Sequence, residues 1–468
     1  MTVVEVHSLA ADLGAIVGED HVRADAGGRL AFATDATPEH RALPDVVVFP
    51  GSTEEVARVL RLAHERRVPV VPRGAGTNLS AGVVPTHGGI VLVLTRMNRL
   101  VEVDTANLAA VCQPGVRTAA LADAAAAHGL LYPPDPGSRT TSTLGGNVAE
   151  NAGGLRGLKY GVTRDYVMGV EAVLATGEVI RSGGKLVKDV AGYDLRRLLC
   201  GSEGTLAVLT ELTLRLVPAP EEAGTGLAYF ADLAAAGRAV SRVLASGVLP
   251  ATLEFLDATC IETVEDFAAI GLDRDAGALL IFGQDGDPGA VGRDMERIAR
   301  ACEAEGASHV RVAGSAAEAG PILEARRAAL PSLSRLGRLT ILEDATVPRS
   351  KIAEMVARIQ VVAREQDLLI GTFGHAGDGN LHPTCVLDPE DADAVARAHA
   401  AFAQIFEAAI ELGGSITGEH GVGLAKLPYV TRQLGADHVA LLRRIKHAFD
   451  PHGILNPGKL LPPADPGP

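Results

Sequence analysis

His375 and His382 flank an Asp378-Gly379 pair in the segment Gly371-Thr-Phe-Gly-His375-Ala-Gly-Asp-Gly-Asn-Leu-His382. Asp-Gly favours a two-residue hairpin turn, and pairing outward from it sets Ala376 opposite Leu381 and His375 opposite His382. Opposed side chains share a face with Cβ atoms about 5 Å apart, within reach of one metal ion. An ordinary cross-strand histidine pair has the same spacing. Further along, Thr417-Gly-Glu419-His420-Gly421 is a glycine-flanked turn. Glu419 is the candidate third ligand of a two-histidine, one-carboxylate set, which leaves positions open for a substrate oxygen and suits zinc, manganese or ferrous iron. His420 would then point elsewhere, free to act as a base. Taken alone, Glu419-His420 reads equally well as a solvated polar turn.

Three glycine-rich stretches ask for a different ligand. Pro72-Arg-Gly-Ala-Gly-Thr-Asn-Leu-Ser-Ala-Gly82 follows a strand, and Thr77, Asn78 and Ser80 add neutral donors to backbone N–H groups that glycine lets turn inward. Such a concave nest suits a pyrophosphate. Leu144-Gly-Gly-Asn-Val-Ala-Glu-Asn-Ala-Gly-Gly154 and Gly201-Ser-Glu-Gly-Thr-Leu206 are further cradles. A plain surface turn explains any one of them; three together favour a dinucleotide. Neither a Walker A lysine nor a strand-G-x-G-x-x-G-helix fingerprint occurs, so ATP and NAD are poorly supported.

The elements that must position these residues alternate. Asp45 to Pro50 predicts a strand, Ser52 to Arg67 a helix with Ser52 and Glu55 as capping box, and Val68 to Val71 a second strand. Short apolar segments follow at Ile90–Leu94, Leu100–Val103 and Ala109–Val111, then a helical run to His128-Gly129. Pro133 to Gly161 predicts a long binding loop, Val170–Ala175 and Leu206–Val217 strands, and Pro218 to Gly224 a linker. A second αβ part has strands near Gly226–Phe230, Thr252–Leu256 and Ala278–Phe282. A long helix is predicted from Asp388 as cap to Gly413-Gly414, and a last one over His438–Phe449. The fold class is therefore α+β.

Composition bounds the function. The 468 residues are 47% hydrophobic and 21% charged, the proportions of a soluble globular chain. A formal net charge of -14 argues against a nucleic-acid-binding surface. No apolar stretch approaches the roughly 18 residues of a transmembrane segment. A cytoplasmic location is expected, with membrane contact only through a partner. Five scattered cysteines with no C-x-x-C encode neither a disulfide framework nor an iron–sulfur cluster, and are expected as small buried hydrophobes.

The PRGAGTNLSAG loop from Pro72, the Pro134-Asp-Pro-Gly-Ser138 and GGNVAENAGG segments, Tyr160-Gly161 and Gly201 to Leu206 together resemble the FAD-binding domain of the vanillyl-alcohol oxidase and p-cresol methylhydroxylase (PCMH) type. The resemblance implies a two-subdomain domain over residues 1–218. It implies FAD contacts from Pro72, Arg73, Gly74, Ala75, Gly76, Thr77, Asn78, Ser80, Pro134, Asp135, Ser138, Gly145, Gly146, Asn147, Ala149, Gly153, Gly154, Gly161, Glu203, Gly204, Val208 and Asn456. The first loop has no histidine, so the FAD is expected to be non-covalent. The family usually has glycine where this chain has Ala207, which would cost about 1 kcal/mol if the backbone there needs positive φ.

HAGDGNLHP and TGEHG resemble the C-terminal domain of FAD-linked 2-hydroxyacid dehydrogenases and oxidases, among them glycolate oxidase D-subunits and D-lactate dehydrogenases. That resemblance implies a ferredoxin-like cap or substrate domain over 219–430 and a C-terminal helix and tail over 431–468. It makes His375, His382 and Glu419 ligands of a divalent metal, His420 the proton acceptor, and Arg326, in Ile322-Leu-Glu-Ala-Arg-Arg-Ala, the clamp on the substrate carboxylate. Leu342 and Thr384 align where hydroxyglutarate-type members carry lysine and asparagine, so a small 2-hydroxy monocarboxylate such as D-lactate or glycolate is expected. Electrons would pass to an external acceptor: a quinone, a cytochrome, an electron-transferring flavoprotein or an iron–sulfur subunit. The alternatives are a flavoprotein subunit of a multisubunit glycolate oxidase with little activity alone, and a sugar or lactone oxidase of the same fold.

Overall fold

Runs of valine and isoleucine bounded by proline and glycine form the strands that carry the rest. In the computed structural model, which describes residues 3–463, Val46–Val48, Ile90–Val93 and Val70–Arg73 run in parallel, with Val22–Arg23 antiparallel at one edge. The Ile90 strand therefore sits between the two that flank the helix Thr53–Arg66 in sequence. Its four residues are all buried, as a central parallel strand requires. The helix Thr53–Arg66 is capped by Ser52, whose hydroxyl accepts the Glu55 amide at 3.2 Å. Glu55 reaches back to the Gly51 amide at 2.7 Å, one residue earlier than the expected capping box. A five-stranded antiparallel sheet follows, in the order Leu100–Asp104, Ala109–Cys112, Val208–Arg215, Val167–Val173, Val179–Gly183. Both sheets belong to unit 1, which takes the chain up to Ala152, Val162–Ala219, and the chain from Glu419 onward.

Unit 2 holds Gly153–Gly161 and Pro220–Gly418. Its main sheet runs, in spatial order, His309–Val312, Glu222–Phe230, Ala278–Gly286, Thr252–Asp257, Ile370–His375, Asn380–Leu387, Leu339–Leu342, and every neighbouring pair is antiparallel. The helices Ala258–Ala268 and Ala316–Leu333 cover one face, burying Leu256, Phe373 and Val386 against Ile322, Ala325 and Ala329. Helices and sheets in both units bear out the α+β expectation.

Several local expectations are corrected. The unit boundary falls inside the expected linker, between Ala219 and Pro220, but most of that segment is strand: Val217–Pro218 pairs with Leu130–Leu131, and Glu222 opens a strand of 9 residues. The continuous ladder with Ala278–Gly286 overrides a composition that suggests a loop. The long helix is capped by Asp391, which accepts the Ala394 amide, and spans Ala392–Glu411. Asp388 instead accepts the Glu390 amide in a turn, because the preceding strand runs on to Leu387. The Pro133 to Gly161 stretch contains two short helices, Leu144–Glu150 and Gly157–Tyr160. Ala207 lies outside the left-handed region and carries no strain; Glu203 (φ 52°) and Gly204 (φ 66°) make that turn. All five cysteines are free and buried.

Candidate functional site

In unit 1 the Pro72 loop, the Leu144–Glu150 helix and the Ser202–Gly204 turn line an open cleft. Of the residues singled out in sequence, Pro72, Arg73, Gly74, Gly145, Gly146, Ala149, Glu203, Gly204 and Val208 face it, joined by Thr143, Glu150 and Ser202, which the sequence did not flag. The walls come close where side chains are missing. A Cβ on Gly74 would collide with Thr143 Oγ1, the oxygen that caps the Leu144 helix by accepting the Gly146 amide.

The other expected members of this site have other surroundings. Asn78 Oδ1 accepts the amides of Ser80 and Gly82 (2.8 and 2.6 Å), and Ser80 Oγ donates to the His420 carbonyl at 3.0 Å. Both side chains shape the loop itself. Asn456 Nδ2 donates to the carbonyls of Gly82 and Glu203 (2.8 and 2.7 Å), tying the C-terminal segment to two of the cradles. Asn147 donates to Thr118 Oγ1 at 2.7 Å. Ala75, Gly76 and Thr77 continue the first loop, with Gly76 at φ 75°. Pro134, Asp135 and Ser138 lie in unit 1, whereas Gly153, Gly154 and Gly161 belong to unit 2.

Charge in the cleft is unusual for its burial. Arg73 donates to the Thr34 carbonyl at 2.7 Å and lies over the Phe32 ring; burial lowers its pKa, and Asp35 works against that. The Glu203 carboxylate accepts the Val422 and Gly423 amides, each at 2.7 Å; burial raises its pKa and those amides pull it back. Burial first, and the charge of Glu203 second, hold the Glu150 carboxyl well above its ordinary range. Gly421, at φ 84°, passes beside both acids: a Cβ there would stand 2.6 Å from Glu150 Oε2 and 3.0 Å from Glu203 Oε1.

In unit 2 the histidine hairpin departs from its expected register. Phe373 pairs with His382 and His375 with Asn380, so the connection has four residues rather than two. The Asp378 amide bonds the His375 carbonyl at 3.0 Å and Gly379 supplies the left-handed residue, φ 77°, which builds a longer turn than Asp-Gly alone suggests. A slip of two residues preserves the face. The two histidines are therefore diagonal neighbours, with ring centroids 5.1 Å apart and planes at 89°.

One ligand atom each from His375, His382 and Glu419 lie within 4.8 Å of one another. Glu419 is placed by its neighbour: the Gly418 amide donates to Asp344 Oδ2 at 2.6 Å, and Asp344 is fully buried. His375 Nδ1 stands 2.8 and 2.9 Å from the two oxygens of Glu254, so a metal held here would meet its Nε2. Two imidazoles, one already oriented by a buried acid, and a carboxylate fit a divalent ion. Glu254 Oε2 also accepts Arg326 Nε at 2.5 Å, and the Arg326 guanidinium lies 4.8 Å over Phe373. Arg326 faces the sheet, while its neighbour Arg327 is half-exposed, 3.9 Å from Glu324. Glu254 was not singled out from the sequence; its readable signal is an acid between apolar residues at an inward position of the strand Thr-Leu-Glu-Phe-Leu-Asp. Leu342 and Thr384 are direct cross-strand partners on the face that carries His382. His420 is buried, its carbonyl held by Ser80 and, at 3.4 Å, by Asn78.

A glycine-walled cleft in unit 1, and two histidines with an arginine in unit 2 grouped with the Glu419 carboxylate, are the features of an FAD-linked oxidoreductase. Residues 44–183 match the FAD binding domain and residues 219–460 match the C-terminal domain of FAD linked oxidases. The chain belongs to this FAD-linked oxidase family, and FAD is its cofactor. It is 54% identical to the glycolate oxidase subunit GlcD of Bacillus subtilis over 92% of each chain, and 40% identical to a D-lactate dehydrogenase of Archaeoglobus fulgidus over 92% of this chain and 95% of that one. Its fold is that of p-cresol methylhydroxylase, with a TM-score of 0.83 at 17% identity, covering 99% of this chain and 98% of the other. Among the described residues no helix is long and apolar enough to cross a membrane.

Proposed function

We propose that the chain oxidises a small 2-hydroxy monocarboxylate, of the glycolate or D-lactate kind, to the 2-oxo acid and hands the electrons to an external acceptor. The grouping of His375, His382 and Glu419 carries this reading, because a divalent ion held by such a set would keep open positions that a hydroxyl and a carboxylate on adjacent carbons can chelate. Arg326 clamps the substrate carboxylate through the guanidinium nitrogens that Glu254 does not occupy. His420 takes the hydroxyl proton on a ring nitrogen, its backbone fixed by Ser80 and Asn78. Leu342 and Thr384 offer no cation to a second carboxylate, and the Thr384 hydroxyl already donates to the His382 carbonyl at 3.3 Å, which supports a monocarboxylate. In unit 1 the backbone of the three cradles and Arg73 hold the FAD diphosphate.

FAD, when bound, supplies the hydride acceptor for the substrate Cα. A divalent ion, when bound, supplies the Lewis acidity that acidifies the substrate hydroxyl. The acceptor is carried by a quinone or a second polypeptide; the word subunit in the name of the Bacillus subtilis relative supports the latter. Anaerobic mixing with a panel of 2-hydroxy acids tests the proposal: glycolate or D-lactate bleaches the flavin within seconds and a 2-hydroxy dicarboxylate does so poorly. Bleaching by sugars or lactones alone would overturn it.

A further inference from the structure

Glu254 is 1% exposed, on the strand Thr252–Asp257, and no local motif announces it. Its single carboxylate meets two different groups: Arg326 Nε at 2.5 Å and His375 Nδ1 at 2.8 and 2.9 Å. We infer that Glu254 is a shared positioning residue, which fixes the His375 tautomer for metal binding and the Arg326 rotamer for carboxylate binding, so that metal occupancy and substrate affinity depend on one side chain. This rests on the proposed 2-hydroxy-acid reading.

A carboxylate accepts only, so the proton of neutral His375 is kept on Nδ1 and the lone pair on Nε2 faces outward. The negative charge also makes the imidazole a stronger donor to a cation. The same oxygen takes only the Nε–H of Arg326, leaving four of the five guanidinium hydrogens for a bidentate grip on a substrate carboxylate. Phe373 supports the guanidinium plane from beneath at 4.8 Å. A buried acid is expensive unless its partners are charged or strongly polar, and here both partners have jobs of their own. A glutamine cannot replace it: with its oxygen on Arg326, its N–H group faces Nδ1, donor against donor, and drives the His375 proton onto Nε2, where it blocks the metal.

The test uses the full-length FAD-loaded protein. Mn2+ affinity is measured by competition with a fluorescent chelator, and KM and kcat with glycolate and D-lactate. Glu254→Gln is expected to weaken Mn2+ binding 10- to 100-fold and to raise KM at least 10-fold, with FAD content close to wild type. Arg326→Met should raise KM while leaving Mn2+ affinity within threefold. Should Glu254→Gln alone fold poorly, the double variant Glu254→Leu/Arg326→Met, which buries no unpaired charge and leaves Nδ1 without its acceptor, decides: its Mn2+ affinity still falls about 10-fold. A folded Glu254→Gln protein with Mn2+ affinity and KM within twofold of wild type overturns the inference. A wild-type protein that binds neither Mn2+ nor any 2-hydroxy acid overturns the parent reading instead.

Discussion

The two candidate sites are built from different material. The cleft of unit 1 is made largely of backbone: the Pro72 loop, the start of the Leu144–Glu150 helix and the Gly201 to Leu206 turn approach closely because Gly74, Gly145 and Gly204 carry no side chains. The group in unit 2 is made of side chains, His375, His382, Glu254 and Arg326, set on strands and one helix. A backbone site is damaged by adding atoms and a side-chain site by removing them.

The largest effects follow from that contrast. His382→Ala removes a proposed ligand, and substrate-driven flavin reduction should fall about 1,000-fold in stopped-flow, the equivalent of several kcal/mol of Lewis-acid stabilisation, with FAD content unchanged. Gly74→Ala adds a Cβ against Thr143 Oγ1 and should do the reverse, lowering bound FAD while leaving Mn2+ affinity intact. If either change moved both readouts, the division would fail.

A pH series sharpens it at about 3 kcal/mol per unit. In unit 2 burial pushes the Asp257 carboxyl up to about 6, although it accepts the Cys260 and Thr372 amides. An acid with a raised folded pKa stabilises fully below its unfolded value of 3.8, and that contribution is lost as pH climbs to about 6. In unit 1 burial lowers the Lys459 ammonium to about 8. A base so depressed carries its full cost below pH 8, and the cost is relieved between pH 8 and the unfolded value of 10.5. Each difference corresponds to about 3 kcal/mol. Pulse proteolysis in urea should show unit 2 weakening from pH 4 to 6 and unit 1 strengthening from pH 8 to 10.5. Asp257→Asn should flatten the first window and Lys459→Met the second.

The smallest effect concerns specificity within unit 2. Leu342→Lys places a cation opposite Thr384 and should shift the ratio of kcat/KM values about 10-fold toward a 2-hydroxy dicarboxylate. An unchanged ratio would remove Leu342 from the substrate pocket.

What could be read in advance follows the same contrast. Glycine-rich loops announce themselves because the need for a missing Cβ is written at the residue itself, so Gly74, Gly145 and Gly204 were legible once the three loops were taken together. The histidine pair was legible in parity and not in register. The alternation of side chains across a strand survives a two-residue slip, while the turn that sets the slip depends on the Asp378 amide bonding His375 and on Gly379 adopting φ 77°. Asn78 and Ser80 looked like phosphate donors because their types suit that task; the loop consumes them, Asn78 on two amides and Ser80 on the His420 carbonyl. The Pro218 to Gly224 segment looked like a linker because its composition is poor in strand formers, and a nine-rung ladder outweighed that.

The amino-acid sequence by itself determined the α+β class, the glycine cradles, and that His375 and His382 share a face, since each depends on residue type and on short-range periodicity. Only the tertiary structure decided that Glu254, 121 residues before His375, would hold both that histidine and Arg326. An acid in an apolar strand marks burial but not its partners, because its cost is offset by groups that the chain brings to it from the next strand and from a helix above the sheet.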